Sequence, residues 1–258
     1  MSEWIPLSRT RHADQGYIPR DGYAFAAEQS VAPILLAELS RLMPHYMLGF
    51  IRENEAYRPV ALLGLDRHTN LYVAANGKWL GRYVPASLRG YPFTFAKARN
   101  GKQALCLHQA HMSETQGAPL FTEDGQLSET VQRTLDFLQQ RERNRLATDV
   151  AARALGEAGV IEPWPLQVDR GEGHEPLTVD GLYRVSEKTL NALDGNALAD
   201  LRKHGALALA YAQLLSINQL DQLIERLKLH IQQAERQSSA PAETFFGDDD
   251  ELHFDFGD

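Results

Sequence analysis

The sequence predicts an α+β protein: an antiparallel β-sheet packed by helices, with a mostly helical C-terminal part and a disordered acidic tail. Three observations lead there. Between residues 46 and 109, short apolar runs are punctuated by Gly, Pro and Asn, the pattern of strands joined by turns. Between residues 127 and 233, apolar residues recur at helical spacing. From residue 243 to 258 there are seven acids and no Lys or Arg. The chain is therefore read as one α+β domain over 1–237, β-rich over 46–109 and helix-rich over 127–233, followed by a tail over 238–258. With 258 residues, 43% of them hydrophobic and 23% charged, it can bury a sizeable core, which excludes disorder throughout. Cys106 is the only cysteine, so neither an intramolecular disulfide nor a Cys-rich zinc site can form.

Taken in order, the first strong pattern runs from Phe25 to Met43 and predicts a helix over about Val31–Met43, with Ser30 as N-cap, Pro33 in the first turn and Pro44 as the stop. Strands are expected at Met47–Ile51, Val60–Leu65, Asn70–Ala75, Trp79–Val84, Thr94–Ala98 and Ala104–His108. Arg52–Glu55, Asp66–Asn70, Asn76-Gly77 and Asn100-Gly101 supply the turns, and the two Asn-Gly pairs tolerate the positive φ that tight hairpins demand. Ser128 caps a helix through Arg141 with Val131, Leu135 and Leu138 on one face, and a charged helix continues to Leu155, ended by Gly156 or Gly159. Val160–Asp169 and Leu177–Val185 flank Gly171–His174 as a smaller hairpin, and Pro163 and Pro165 place its first strand at an edge. Ser186 caps a helix through Leu193, Asn196 begins another, and Ala206–Gln233 reads as one long amphipathic helix.

The net charge of −8 belongs mainly to the tail; without its seven acids the chain holds 26 Lys+Arg against 27 Asp+Glu. From Arg67 to Ser113 there are seven basic residues and no acid, a stretch suited to attracting anions or to being neutralised by acids elsewhere in the fold. Met1–Arg20 contains no apolar run of signal-peptide length, and no run approaches a membrane span. Cytoplasmic residence is the expectation, with export to the cell surface through a C-terminal signal as the alternative.

The densest constellation is Trp79-Leu-Gly-Arg-Tyr-Val-Pro-Ala-Ser-Leu-Arg-Gly-Tyr-Pro-Phe93. Its candidate partner-binding residues are Trp79, Gly81, Arg82, Tyr83, Pro85, Arg89, Tyr91 and Phe93. Glycines permit close backbone approach, prolines stiffen the corner, and Arg beside aromatics can stack on planar groups or grip carboxylate and phosphate. The same residues would serve equally as a structural corner, with the rings in the core and the arginines snorkelling to water. Both readings are open.

This stretch resembles the signature of the bacterial SapC family, Trp-x-Gly-x-Tyr-Val-Pro-x-x-Leu-Arg-x-Tyr-Pro-Phe. The segments Gly181–Leu190 and Leu207–Ser216 are similar to the family's C-terminal portion. The resemblance implies association with a paracrystalline surface layer and a role in binding or assembly, and it supplies no catalytic residues.

Other chemistry is weakly signalled. His108-x-x-His111-x-x-Glu114 has ligand-type residues, but on a strand the two histidines would face opposite ways. Cys106 and His108 would share a strand face, either as a thiol–imidazole pair or with the cysteine as a small core residue. No nucleophile elbow, phosphate loop, dinucleotide fingerprint or zinc-protease motif is present, no metal or catalytic set is assigned, and no cofactor is named. The expected role is non-enzymatic, with a protein partner. An accessory factor holding a small anion with Arg82, Arg89 and Tyr83 is the alternative. Single-stranded nucleic acid is a third reading, suggested by Tyr72, Trp79, Tyr83, Tyr91, Phe93 and Phe95 among the basic residues. The near-neutral body argues against it. In the tail, Phe245, Phe246, Phe254 and Phe256 among acids suggest a docking or export element, with plain solubilisation as the alternative.

Overall fold

The computed structural model describes residues 3–97, 103–169 and 175–239. Its strands are β1 (Trp4–Pro6), β2 (Gly16–Tyr17), β3 (Val31–Pro33), β4 (Leu48–Glu53), β5 (Ala56–Leu62), β6 (Phe93–Lys97), β7 (Gln103–His108), β8 (Met112–Ser113), β9 (Ala118–Pro119), β10 (Ile161–Pro163), β11 (Leu166–Val168), β12 (Leu177–Val179) and β13 (Leu182–Val185). Its helices are α1 (Leu39–Leu42), α2 (Ala86–Arg89), α3 (Glu129–Glu157), α4 (Glu187–Asn191), α5 (Gly195–Lys203), α6 (Ala206–Ser216) and α7 (Leu220–Ser239). The α+β class is as the sequence predicts, with strands dominating the first half and helices the second. The tail beyond Ser239 lies outside the described residues.

The main sheet is antiparallel with strand order β10-β13-β4-β5-β3. A second sheet, β1-β7-β6, stands apart from it, and β8-β2-β9 and β11-β12 form small ribbons. The β4–β5 hairpin closes through Asn54 and Glu55, which both have positive φ and so give the turn the hand that matches strand twist. The strands of the smaller hairpin expected over 160–185 are also present, with the loop Gly171–His174 outside the described residues. β10 pairs with β13, β11 pairs with β12, and Pro163 lies on an edge strand.

Helix α3 ties the two sheets together. Val131 and Leu138 enter a core made by Tyr17, Phe93, Leu107, Leu120 and Phe121, on the β6–β7 side. Ala151, Ala152 and Leu155, further along the same helix, enter the larger core over β4 and β5, to which α6 and α7 also contribute. Small side chains there let the helix approach the sheet closely, and burial of the two apolar patches supplies most of its stability.

Three expectations need correction. The helix over Val31–Met43 is instead β3, a 3-10 turn at Leu36–Glu38 and the single turn α1. Pro33 lacks an N–H and pushes Ala32 out of the helical region, so the segment pairs as an edge strand with Val60–Leu62. Ser30 contributes its carbonyl, which accepts from Leu63 and Gly64 N–H, and does not cap a helix.

The segments Asn70–Ala75 and Trp79–Val84 are not strands. They meet around Asn76-Gly77 through one bridge, Val73 to Trp79, because Leu71 N–H donates to Leu63 carbonyl, Val73 N–H to Asn70 carbonyl and Tyr72 N–H to the Asn70 side chain. The Asn100-Gly101 turn lies outside the described residues.

The long helix Ala206–Gln233 is broken at Ile217–Gln219. Ser216 Oγ donates back to Gln213 carbonyl, a bond that bends helices, and accepts from Leu48 N–H. Tyr211 and Leu215 of α6 are exposed.

Buried Gln213 completes this clip. Its Oε1 accepts from Val185 N–H at 2.9 Å and its Nε2 donates to Leu48 carbonyl at 3.3 Å. Gln213→Leu strands both backbone groups, and urea unfolding should show a loss of about 2 kcal/mol at unchanged m-value.

Candidate functional site

The Trp79–Phe93 segment passes from one core to the other. Trp79 and Tyr83 pack against the larger core, Leu88 is buried in it, and Phe93 is sealed in the smaller one. The corner's inner side is pinned by hydrogen bonds. Trp79 Nε1 donates to Tyr46 Oη and to Tyr83 carbonyl, each at 3.1 Å, and Tyr46 Oη also donates to Tyr83 carbonyl. Gly81 sits over this cluster, where a Cβ would lie 2.5 Å from Tyr46 Oη and 2.7 Å from Trp79 Nε1. Pro85, also buried, precedes the short helix α2.

The hub beneath the corner is Glu38, a carboxylate only 4% exposed. Its Oε2 accepts from Tyr83 Oη at 3.0 Å and from Ala86 N–H at 2.9 Å, and its Oε1 accepts from Leu35 N–H at 3.0 Å. Burial pushes the Glu38 carboxyl above the usual Glu value, although these three donors and the Arg89 charge pull the other way. The Tyr83 phenol is raised by burial and by the adjacent carboxylate, which keeps it a donor.

The outer side is different. Leu80 is 53% exposed, and Arg82 is exposed with no ion pair among the described residues. Arg89 donates to Tyr83 Oη at 3.0 Å and lies over the Tyr83 and Phe137 rings, with centroids 5.3 and 5.1 Å away; it too has no carboxylate within ion-pair distance among the described residues. Arg89 lines a cavity of about 370 Å³ with Arg20, Tyr17 and Tyr23. Arg82 lines neither cavity beside the corner, so the expected set of Arg82, Arg89 and Tyr83 does not converge on one ligand.

Tyr91 is the partition between two cavities. Its ring stacks on Phe25 at 3.9 Å and 9°, and it faces Trp4, His108 and His111 at 6.2, 5.5 and 5.0 Å. On its other side opens a cavity of about 590 Å³ that Arg141 of α3 also lines. Gly90 makes this approach of α3 possible, since a Cβ there would meet Leu138 Cδ2 at 2.7 Å. Gly90→Ala should therefore cost about 1–2 kcal/mol in thermal or urea unfolding, less than a clash with backbone would.

The sequence reading put His108 and His111 on opposite faces; the structure corrects this. The chain leaves β7 at His108 and turns through Gln109–His111, which brings the two rings to 6.1 Å. Among the described residues no three His, Cys, Asp or Glu side chains are grouped to hold a metal ion. Cys106 is fully buried, its Sγ directed to Ala104 carbonyl at 3.6 Å and its thiol pushed up by burial, as a small core residue behaves. Tyr72 and Phe93 are buried in different cores, so the six aromatics considered for base stacking do not form one surface. Phe245, Phe246, Phe254 and Phe256 lie outside the described residues.

Sequence reasoning missed Glu38, Tyr46 and Arg141. Glu38 lies inside the segment expected to be a helix, where a carboxylate draws no notice. Its only signal was a carboxylate inside the apolar run Leu35-Leu-Ala-Glu-Leu39.

The SapC family model matches residues 7–223 of the chain. No curated protein and no solved structure matches it. Among the described residues no helix is long and apolar enough to cross a membrane.

Proposed function

We propose that this chain, which belongs to the SapC family, is a non-enzymatic binding protein that engages a protein partner through the outer side of the Trp79–Phe93 corner. The observation that carries the reading is the asymmetry of that corner. Its inner side is locked by Glu38, Tyr46 and Trp79, while Leu80, Arg82 and Arg89 stand outward on the locked backbone with no carboxylate partner among the described residues. Preorganised backbone lowers the entropy lost on docking, and an apolar side chain beside two guanidiniums with no ion pair among the described residues matches a surface with acids around an apolar patch. An assembly role at a surface layer, as the family resemblance implies, is one form of such binding.

The test is a photoreactive residue at Leu80, compared with the same residue at Leu229, which is 56% exposed on α7. In cells, position 80 should give a protein adduct that position 229 does not, and Arg82→Glu with Arg89→Glu should abolish it. Equal adducts at both positions, or an adduct indifferent to the charge reversal, would reject the corner as the contact surface.

A further inference from the structure

The cavity on the far side of Tyr91 has a composition that the corner's outer surface does not explain. Its apolar wall is Trp4, Phe25 and Tyr91, and its polar side carries Arg141, Ser87 and Thr94. That polar side is shared with a neighbouring cavity of about 280 Å³ that runs along α3.

Arg141 is half-buried there, and its only hydrogen bond among the described residues is a long one, 3.4 Å, from Nη1 to Ser87 carbonyl. One turn further on, Arg145 shows what a satisfied guanidinium looks like in this fold. It binds Glu142 through Nε at 2.9 Å and Nη2 at 2.7 Å, and Asp149 through Nη1. Glu142 and Asp149 are thus hydrogen-bonded to Arg145, and Glu142 reaches Arg141 only through its charge. Burial holds the Arg141 guanidinium below its ordinary value; the Glu142 charge opposes this and the Arg145 charge adds to it.

Two polar atoms on residues lining the cavity, Ser87 Oγ and His108 Nδ1, are buried without a hydrogen-bond partner among the described residues. Buried polar groups are rarely left under-bonded, and a half-buried guanidinium with one long hydrogen bond beside an aromatic wall marks a place that a bound anion would complete.

We propose that this cavity is a binding site for a small planar organic carboxylate, its carboxylate gripped by Arg141 and its ring seated against Trp4, Phe25 and Tyr91. Guanidinium and carboxylate match in a two-bond fork, and a single carboxylate neutralises a single Arg. A phosphate dianion fits less well, because the cavity offers one arginine and also contains Glu3, which lies 3.6 Å from His108 Nε2. Flat apolar bodies suit an aromatic wall, and the volume accommodates one ring system and a short acid arm. This site is distinct from the outer surface of the corner and does not depend on a protein partner.

The experiment titrates the full chain, observed by NMR, with indole-3-acetate, with indole-3-ethanol, which has the same body and no charge, and with inorganic phosphate. Indole-3-acetate should saturate, show contacts to the Trp4 and Tyr91 rings, and bind at least about tenfold more tightly than the alcohol. Arg141→Gln should bring acid and alcohol to the same affinity, while Arg153→Gln, on an exposed turn of the same helix, should leave the difference intact. If Arg141→Gln does not fold, the wild-type comparison of acid with alcohol and the ring contacts decide the matter. Absence of saturation, equal affinity for acid and alcohol in the wild type, phosphate binding as tight, or contacts to other aromatic rings would each overturn the proposal. The cross-linking at Leu80 reads the corner's outer surface, so either reading can fail alone.

Discussion

Glu38→Ala should lower the stability of the protein by about 3–5 kcal/mol, the range for stripping a buried charged hydrogen-bond network of its acceptor. Three donors converge on this one side chain: Leu35 N–H at the start of the 3-10 turn, Ala86 N–H at the start of α2, and Tyr83 Oη. Alanine removes the acceptor and leaves all three turned toward a cavity, so the penalty is desolvation without recompense. Urea unfolding checks the magnitude.

The pH dependence checks the mechanism. The carboxyl is raised above its value of 4.5 in the unfolded chain, chiefly by burial. The folded state thus binds a proton more tightly than the unfolded one. The stability this contributes is complete below pH 4.5 and is lost as pH climbs through the raised folded value. Glu38→Gln cannot titrate, so the stability of wild type minus that of the Gln variant should decline as pH rises above about 4.5. A difference that grows with pH would mean that the three donors outweigh burial.

Gly81→Ala should cost about 3 kcal/mol, at the upper end for overpacking. The added carbon falls 2.5 Å from Tyr46 Oη, 2.7 Å from Trp79 Nε1 and 3.2 Å from Tyr72 Cδ1. None of these can retreat cheaply. Tyr46 and Tyr72 are among the largest fully buried side chains, and Tyr46 and Trp79 are tied to Tyr83 carbonyl by hydrogen bonds. The variant should also shift indole fluorescence, because Trp79 must leave its partner to make room. A melting temperature within error of wild type would show that the cluster is looser than its geometry.

Legibility in the sequence followed how local the deciding forces were. The Asn54-Glu55 turn and the edge position of Pro163 are readable from turn chemistry, and α3 starts after Ser128 as its periodicity predicts, although the Ser128 hydroxyl makes no capping bond among the described residues. The Val31–Met43 stretch failed because helical spacing and a strand edge were both compatible with it. The choice fell to pairing with Val60–Leu62, which lies nearly thirty residues on. The break in the long C-terminal helix failed for the same reason, since Ser216 is claimed by Leu48 N–H, 168 positions away.

At the site, the importance of the Trp79–Phe93 stretch was visible in its composition, but its division into an anchored inner side and an open outer one was not. That division depends on Glu38 and Tyr46, whose roles exist only once the chain has folded over them. Arg141 was equally hidden, because a charged residue on a charged helix carries no mark that folding will half-bury it with one long hydrogen bond.

The order of the main sheet places β10 at one margin and β3 at the other, and each of these strands ends in a proline, Pro163 and Pro33. A proline offers no hydrogen to an incoming backbone and obstructs strand addition at its position. Both ends of the sheet are therefore stoppered against cross-β propagation. If copies of this protein join into an ordered layer or filament, the main sheet does not continue from one protomer into the next at these prolines, and the joints must be sought elsewhere on the surface.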